Sequence, residues 1–277
     1  MPRVDLSVID KKTDPVVFDY NWKDVVLYAL GVGATPEELP LVYEHAPGGL
    51  KVLPSFCVVP AMRAFPKFGD DIEWSLMLHG EQTIRLYHPI PPAGKLIQTG
   101  VITDIFDKGK GAVYHAKISG TSEEGTHIYD AHWAIFYLGA GGFGGDPGPK
   151  ADSIKPPEGI KPDFSFSCPV AENQAALYRL SGDLNPLHLD PAAAKRGGFD
   201  RPILHGLCTY GIATRAIVNG PLEGDVNRLK EFKARFSSAV YPGDILTTEG
   251  WKNGSGYIIQ ARTENEVVLS NGVAIVK

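Results

Sequence analysis

One repeat limits what this chain can fold into. Thr83 to His88 runs into Pro89-Ile-Pro-Pro-Ala-Gly94 and then Lys95 to Ile102. Lys233 to Val240 runs into Tyr241-Pro-Gly-Asp244 and then Ile245 to Trp251. Both are a strand, a Pro/Gly turn and a strand. Each is followed by two further strand-like runs, 112–119 with 128–138 and 257–263 with 267–276. Alternation and β-branched content favour antiparallel strands there. Each set is preceded by an amphipathic helix candidate, Trp22 to Leu30 and Glu172 to Leu180. The two halves read as diverged copies of one α+β unit.

The stretch between them, Gly139-Ala-Gly-Gly-Phe-Gly-Gly-Asp-Pro-Gly-Pro149 and on to Pro162, is the densest Gly/Pro run in the chain. It reads as a linker, so the expected organisation is a first half over 1–140, a linker over 141–162 and a second half over 163–277. The linker holds a literal Gly-x-Gly-x-x-Gly at 139, 141 and 144. A dinucleotide site also needs a helix opening there, and Pro147, Pro149, Pro156 and Pro157 forbid one. Asn253-Gly-Ser255 reads as a hairpin turn.

The two copies share the tripeptide Leu-His-Gly, at 78–80 and at 204–206. After Gly206 the run Leu207 to Val218 reads as a buried helix, whereas Gly80 leads almost directly into a strand. A first half lacking a central helix has room for an apolar chain. The competing expectation is that Trp74, Trp133, Phe136 and Tyr137 fill that room.

The chemistry concentrates in Tyr178-Arg-Leu-Ser-Gly-Asp-Leu-Asn-Pro-Leu-His188. It places an acid, an amide and an imidazole (Asp183, Asn185, His188) within six residues. On an unbroken helix, residues five apart point about 140° from one another. Pro186 breaks the helix and pushes Asn185 toward extended backbone. A turn there can aim Asp183 and His188 at one small molecule such as water. The bland alternative is a local cap and a core histidine. Next, Asp190 reads as a helix N-cap, Pro191 as the first helical residue and Gly197 as the left-handed stop.

Composition narrows the rest. With 43% hydrophobic and 21% charged residues the chain reads as an ordinary globular protein. No apolar run nears the ~20 residues that span a bilayer. The start lacks a secretory pattern and the end lacks a Ser-Lys-Leu signal, so a soluble intracellular protein, peroxisomal or cytoplasmic, is expected. Three scattered cysteines (57, 168, 208) fit a reducing compartment and no zinc site. A net charge of −5 disfavours nucleic acid and anionic membrane. Residues 195–235 run against this, with eight Lys/Arg and four Asp/Glu. That segment is either a solvated face or a seat for a polyanionic ligand. His45, His88, His115, His127 and His132 receive no role. His127 and His132, five apart on a strand, should face opposite sides.

Tyr178-x-Leu-Ser-Gly-Asp-x-Asn-Pro-Leu-His188, with Pro202-Ile-Leu-His-Gly206, resembles the hydratase 2 motif of the MaoC-like family. His79-Gly-Glu-Gln82, Asp107-Lys-Gly109 and Gly141-Gly-Phe-Gly-Gly145 resemble the first half of the 2-enoyl-CoA hydratase 2 unit of peroxisomal multifunctional enzymes. The resemblance implies a double hot-dog fold, with a degenerate first half that accommodates the acyl chain and a catalytic second half. It implies R-specific addition of water to a trans-2-enoyl-CoA in β-oxidation, with Asp183 and His188 as proton carriers and Asn185 orienting water. The Gly206 N–H, opening a helix, is a candidate oxyanion donor. His79, Gly80, Lys108 and Phe236 are implied acyl-CoA contacts. Arg196, Arg201, Lys230, Lys233 and Arg235 are phosphate candidates from charge alone. No metal or cofactor beyond the substrate's coenzyme A is expected, and a homodimer is implied. The alternatives are a MaoC-type dehydratase on another acyl thioester and a non-catalytic acyl-CoA-binding module. A Ser-His-Asp hydrolase lacks its Gly-x-Ser-x-Gly elbow.

Overall fold

A computed structural model describes residues 2–150 and 153–277. In the first half, β1 (Val16–Tyr20) leads into α1 (Trp22–Gly31) and the short α2 (Leu39–Val42). A 3-10 turn (Pro54–Cys57), α3 (Val58–Ala61) and a second turn (Met62–Ala64) follow. Then come β2 (Met77–Leu86), β3 (Gly94–Asp107), β4 (Gly111–Ser122) and β5 (His127–Leu138). The second half repeats the order with β6 (Phe164–Pro169), α4 (Gln174–Tyr178), α5 (Pro191–Arg196), α6 (Gly206–Asn219), β7 (Leu229–Phe236), β8 (Ile245–Asn253), β9 (Gly256–Arg262) and β10 (Val267–Val276).

The ten strands form one sheet in the order β1-β3-β4-β5-β2-β7-β10-β9-β8-β6. Read from either end, the order visits equivalent strands, so a pseudo-twofold runs through the β2–β7 seam. That seam is antiparallel, from Glu81 opposite Arg235 to Arg85 opposite Glu231. This is the α+β double hot-dog arrangement that the repeat and the motif imply. Strand period sets its layers: Ala112, Tyr114 and Ala116 are buried inward while Val113 and His115 alternate outward. α6 is buried from Leu207 to Val218 and forms the central helix of the second half.

Local chemistry explains the boundaries. Asn21 caps α1 in a reciprocal capping box with Asp24. Asp190 caps α5 by accepting from the Ala192 N–H, and Pro191 opens it. Gly254-Ser255 closes the β8–β9 hairpin between the paired Asn253 and Gly256. No helix opens at the 139–144 glycines; the next element is β6.

Four expectations are corrected. The Leu-His-Gly tripeptides are not equivalent: Leu78-His79-Gly80 lies inside β2, paired to β5, whereas Leu204-His205-Gly206 leads into α6. The first-half counterpart of α6 is the broken stretch Pro54–Ala64, which precedes β2. Its Phe56, Cys57, Val58 and Ala61 are buried in the same core as Tyr114, Trp133 and Tyr137. Trp74 is exposed, and Phe136 points to the outer face. The left-handed glycine after α5 is Gly198 at φ 84°, while Gly197 keeps φ −78°. A register shift beside His127 breaks the strand alternation, so its Nε2 reaches Asp130 at 2.9 Å on the face that His132 shares.

Candidate active site

The loop between α4 and α5 is built by short-range hydrogen bonds. A 3-10 turn (Arg179–Ser181) ends at Gly182, whose φ of 129° reverses the chain. Asp183 Oδ1 then accepts from the Asn185 N–H at 3.2 Å. Asn185 Oδ1 accepts from the Leu187 N–H at 3.0 Å and caps the turn Pro186–His188. The proline therefore does the geometric work its position implies. It brings His188 back so that ligating atoms of Asp183, His188 and His205 lie within 4.8 Å of one another. Asn185 itself is exposed, with its side-chain oxygen engaged in the cap.

His188 is buried and its tautomer is set by its partner. Nδ1 lies 2.9 Å from the Ile203 carbonyl, which can only accept, so Nδ1 carries the proton and Nε2 keeps its lone pair. Burial pushes the His188 pKa below the ordinary imidazole value, so the ring stays neutral and basic. Two further histidines surround the pair. His205, fully buried, stacks on His188 with centroids 3.7 Å apart, and burial and then His188 push its pKa down to about 3. His79 comes from the first half, lies 4.6 Å from the Phe236 ring and feels the Asp183 charge; burial lowers its pKa to about 4.

Gly206 is the first residue of α6, and its N–H makes no hydrogen bond among the described residues. It carries the partial positive charge of a helix N-terminus. A Cβ there would stand 3.3 Å from the Phe236 ring, a tight contact that glycine avoids.

A cavity of about 370 Å³ opens on the outer face at the β2–β7 seam. Val113, Ala134 and Phe136 supply apolar wall, and Lys108, Lys150, Lys233 and Arg235 supply charge. Glu81 lies among these cations, with Arg235 Nε at 2.8 Å and Lys233 Nζ at 3.8 Å. Lys108 Nζ donates to the Pro147 and Pro149 carbonyls, which holds the Gly/Pro segment along one rim. Gly80 and Phe236 line the cavity, and the Phe236 ring also packs beside Gly206 and His79. β2 bulges at Gly80, where a Cβ would come 3.2 Å from the Ala134 carbonyl. Phe236 is thus shared between the cavity wall and the surroundings of Gly206.

Gly80, Lys108, Lys233 and Phe236 line the cavity, and the His79 ring lies against that of Phe236. Arg201 is not among the cavity residues. Its guanidinium packs over Tyr241 at 4.7 Å and donates to the Pro242 carbonyl. Lys230 lines a separate small hollow with His88, and Arg196 is exposed at the end of α5. The sequence reading missed Lys150, hidden in the linker, and His205, adjacent to the singled-out Gly206. Asp183, His188 and His205 form the one group among the described residues with metal-ligand spacing. Rings stacked at 27° send their in-plane lone pairs side by side rather than to one point, which suits coordination poorly.

These neutral histidines, with His188 and His205 buried and His79 half-buried, make acid a weak point of the fold. Their folded pKa values lie below the unfolded value, so the unfolded chain binds protons first as pH drops. The stabilisation is complete above about pH 6.5 and declines through about 4 and 3 for His79 and His205. A fully buried histidine contributes a slope of up to about 1.4 kcal/mol per pH unit. The urea midpoint is expected to fall steadily from pH 7 to pH 4.5. A flat profile over that range would contradict neutral burial.

Comparison with known proteins fits this geometry. Residues 18–139 match the MFE-2 hydratase 2 N-terminal domain, and residues 153–275 match the MaoC like domain. A probable enoyl-CoA hydratase 2 of Dictyostelium discoideum is 40% identical over 98% of this chain and 96% of its own length. The peroxisomal multifunctional enzyme type 2 of Mus musculus is 40% identical over 91% of this chain and 36% of its own. The crystal structure of a MaoC-like dehydratase from Phytophthora capsici superposes with a TM-score of 0.89 at 28% identity, covering 98% of this chain and 96% of that one. With both halves matched and the Asp183–His188 loop in place, the chain belongs to the MaoC-like, enoyl-CoA hydratase 2 family of hydro-lyases.

Proposed function

We propose that this protein is an R-specific 2-enoyl-CoA hydratase, adding water reversibly to trans-2-enoyl-CoA to give (3R)-3-hydroxyacyl-CoA in fatty-acid oxidation. The observation that carries the reading is the convergence of Asp183 and His188 beside the open N–H of Gly206. Water attacking C3 loses a proton and C2 gains one. Asp183 and the Nε2 of neutral His188 are the two groups that accept and return protons. The thioester oxygen gains charge as C2 becomes enolate-like, and the Gly206 N–H at the helix terminus opposes that charge. The apolar, cation-rimmed cavity suits a thioester whose far end carries phosphates. Lys108 and Lys233 face those phosphates, and Phe236 and Gly80 guide the chain past the bulge. Coenzyme A comes with the substrate, so the chemistry uses no further cofactor. The assembly is a homodimer, and the compartment peroxisomal or cytoplasmic.

Chiral analysis of the product from crotonyl- and decenoyl-CoA is expected to return the 3R alcohol, and a 3S product would overturn the reading. A second reading, dehydration of another acyl thioester, has support in a Mycobacterium tuberculosis relative named 3-hydroxyacyl-thioester dehydratase Y, 38% identical over 97% of this chain. Comparing kcat/KM on coenzyme A and carrier-protein thioesters separates the two. Acyl-CoA that raises Tm without turnover would instead mark a binding module.

A further inference from the structure

One buried histidine at the cluster takes no part in these proton transfers. His205 is the residue before α6, wholly enclosed, with its ring flat against His188 and tilted on Tyr178 at 4.9 Å. Its Nε2 lies 3.2 Å from the main-chain carbonyl of Asp183. A carbonyl only accepts, so Nε2 carries the proton and Nδ1 is left as a lone pair. That Nδ1 is buried with no partner among the described residues. An unpaired buried acceptor is costly, and phenylalanine would fill the same space without it. The position therefore demands both a ring face and an N–H, a combination that packing alone does not require.

We propose that His205 is a positioning residue for the reaction. Its ring face holds the His188 imidazole in place, while its Nε2–H fixes the Asp183 main chain. One side chain thus sets the separation of both proton carriers. It touches neither substrate nor reacting atoms. The kinetic part of this proposal rests on the hydratase reading above.

The surrounding charges are few. The Asp183 carboxylate acts on both His188 and His79, and Arg179 acts on His205. The Tyr178 hydroxyl is buried and has no hydrogen-bond partner among the described residues, and Arg63 of the first half approaches Gly182. A neutral ring against His188 keeps water from one of its faces and adds no charge of its own.

Two variants separate the two contacts. His205→Phe keeps a ring on His188 and removes the donor to Asp183. His205→Gln keeps an amide donor and removes the ring. Each is expected to lower kcat by on the order of tenfold to a hundredfold, the scale of a small misplacement, with KM within a factor of about two. Imidazole ¹H–¹⁵N spectra, with His188 assigned by its own variant, are expected to show its titration moving up toward the ordinary range in His205→Gln. It stays low in His205→Phe. Wild-type kcat per folded molecule in either variant, with or without a lowered Tm, overturns the proposal. So does an unmoved His188 titration in His205→Gln. Absence of turnover in the wild type would instead refute the hydratase reading, and the titrations would still decide the role of His205.

Discussion

Replacing Asp183 by Asn, or His188 by Ala, is expected to cut kcat for enoyl-CoA hydration by about 10²–10⁴-fold each, the usual contribution of a positioned acid or base. The fold should survive both changes. Asp183 is only half-buried, and an asparagine oxygen can still accept from the Asn185 N–H. His188 contributes one hydrogen bond, to the Ile203 carbonyl, at the rim of the core. Tm is therefore expected to move by only a few degrees, on the scale of about 1–2 kcal/mol in a chain of this size. KM should hardly move, because neither group binds the far end of the thioester. The two groups act on one water, so the double variant should be scarcely worse than the poorer single one. Near-parental turnover in both single variants would remove these residues from the mechanism. A matching fall in kcat and in folded fraction would reassign them to structure.

The second large effect concerns stability. Arg215 sits in the middle of α6, 3% exposed, and reaches across to the first half. Its Nη1 donates to the Val32 carbonyl at 2.6 Å, and its Nε stands 3.0 Å from Glu38 Oε1 without hydrogen-bond alignment. The guanidinium also lies over the Phe166 ring at 5.4 Å, and Asn219 adds a hydrogen bond to Glu38. Arg215→Met removes the cation, leaving the shielded Glu38 carboxylate without its counter-charge and the Val32 carbonyl without this donor. The expected cost is about 3–5 kcal/mol, read as a lower urea midpoint at pH 7. Adding Glu38→Leu should restore part of it, because the lone carboxylate then disappears as well. A single variant within about 0.5 kcal/mol of the parent would show that the pair balances its own desolvation.

Much of this was written locally in the chain. Strand alternation, the Pro/Gly turns and the caps at Asn21 and Asp190 depend on neighbours a few residues away. So does the Asp183–His188 turn, which Pro186 dictates. What escaped was set by distant partners. The first-half counterpart of the central helix, Pro54–Ala64, is buried on nearly all sides and interrupted by proline, so it shows no helical period. The Leu-His-Gly pairing misled because three identical residues carry no information about register. Arg201 and Lys233 looked alike as charges in one basic stretch. Only the fold sends one to Tyr241 and the other to the cavity. His205 was invisible as a partner of His188 because the sixteen residues between them include all of α5.

The β2–β7 seam also has a consequence in time. Glu81 and Arg235, which bond across it, are 154 residues apart in sequence. Closing so long a loop is slow relative to pairing strands within one half. During synthesis the first half can pair β1, β3, β4, β5 and β2 among themselves while β2 waits as an open edge. Glu81 and Arg85 on that edge discourage pairing with a wrong chain. Because the cavity and the His79–Phe236 contact straddle this junction, catalytic competence arrives only with the last long-range pairing. Recovery of activity on refolding should therefore lag behind recovery of strand signal.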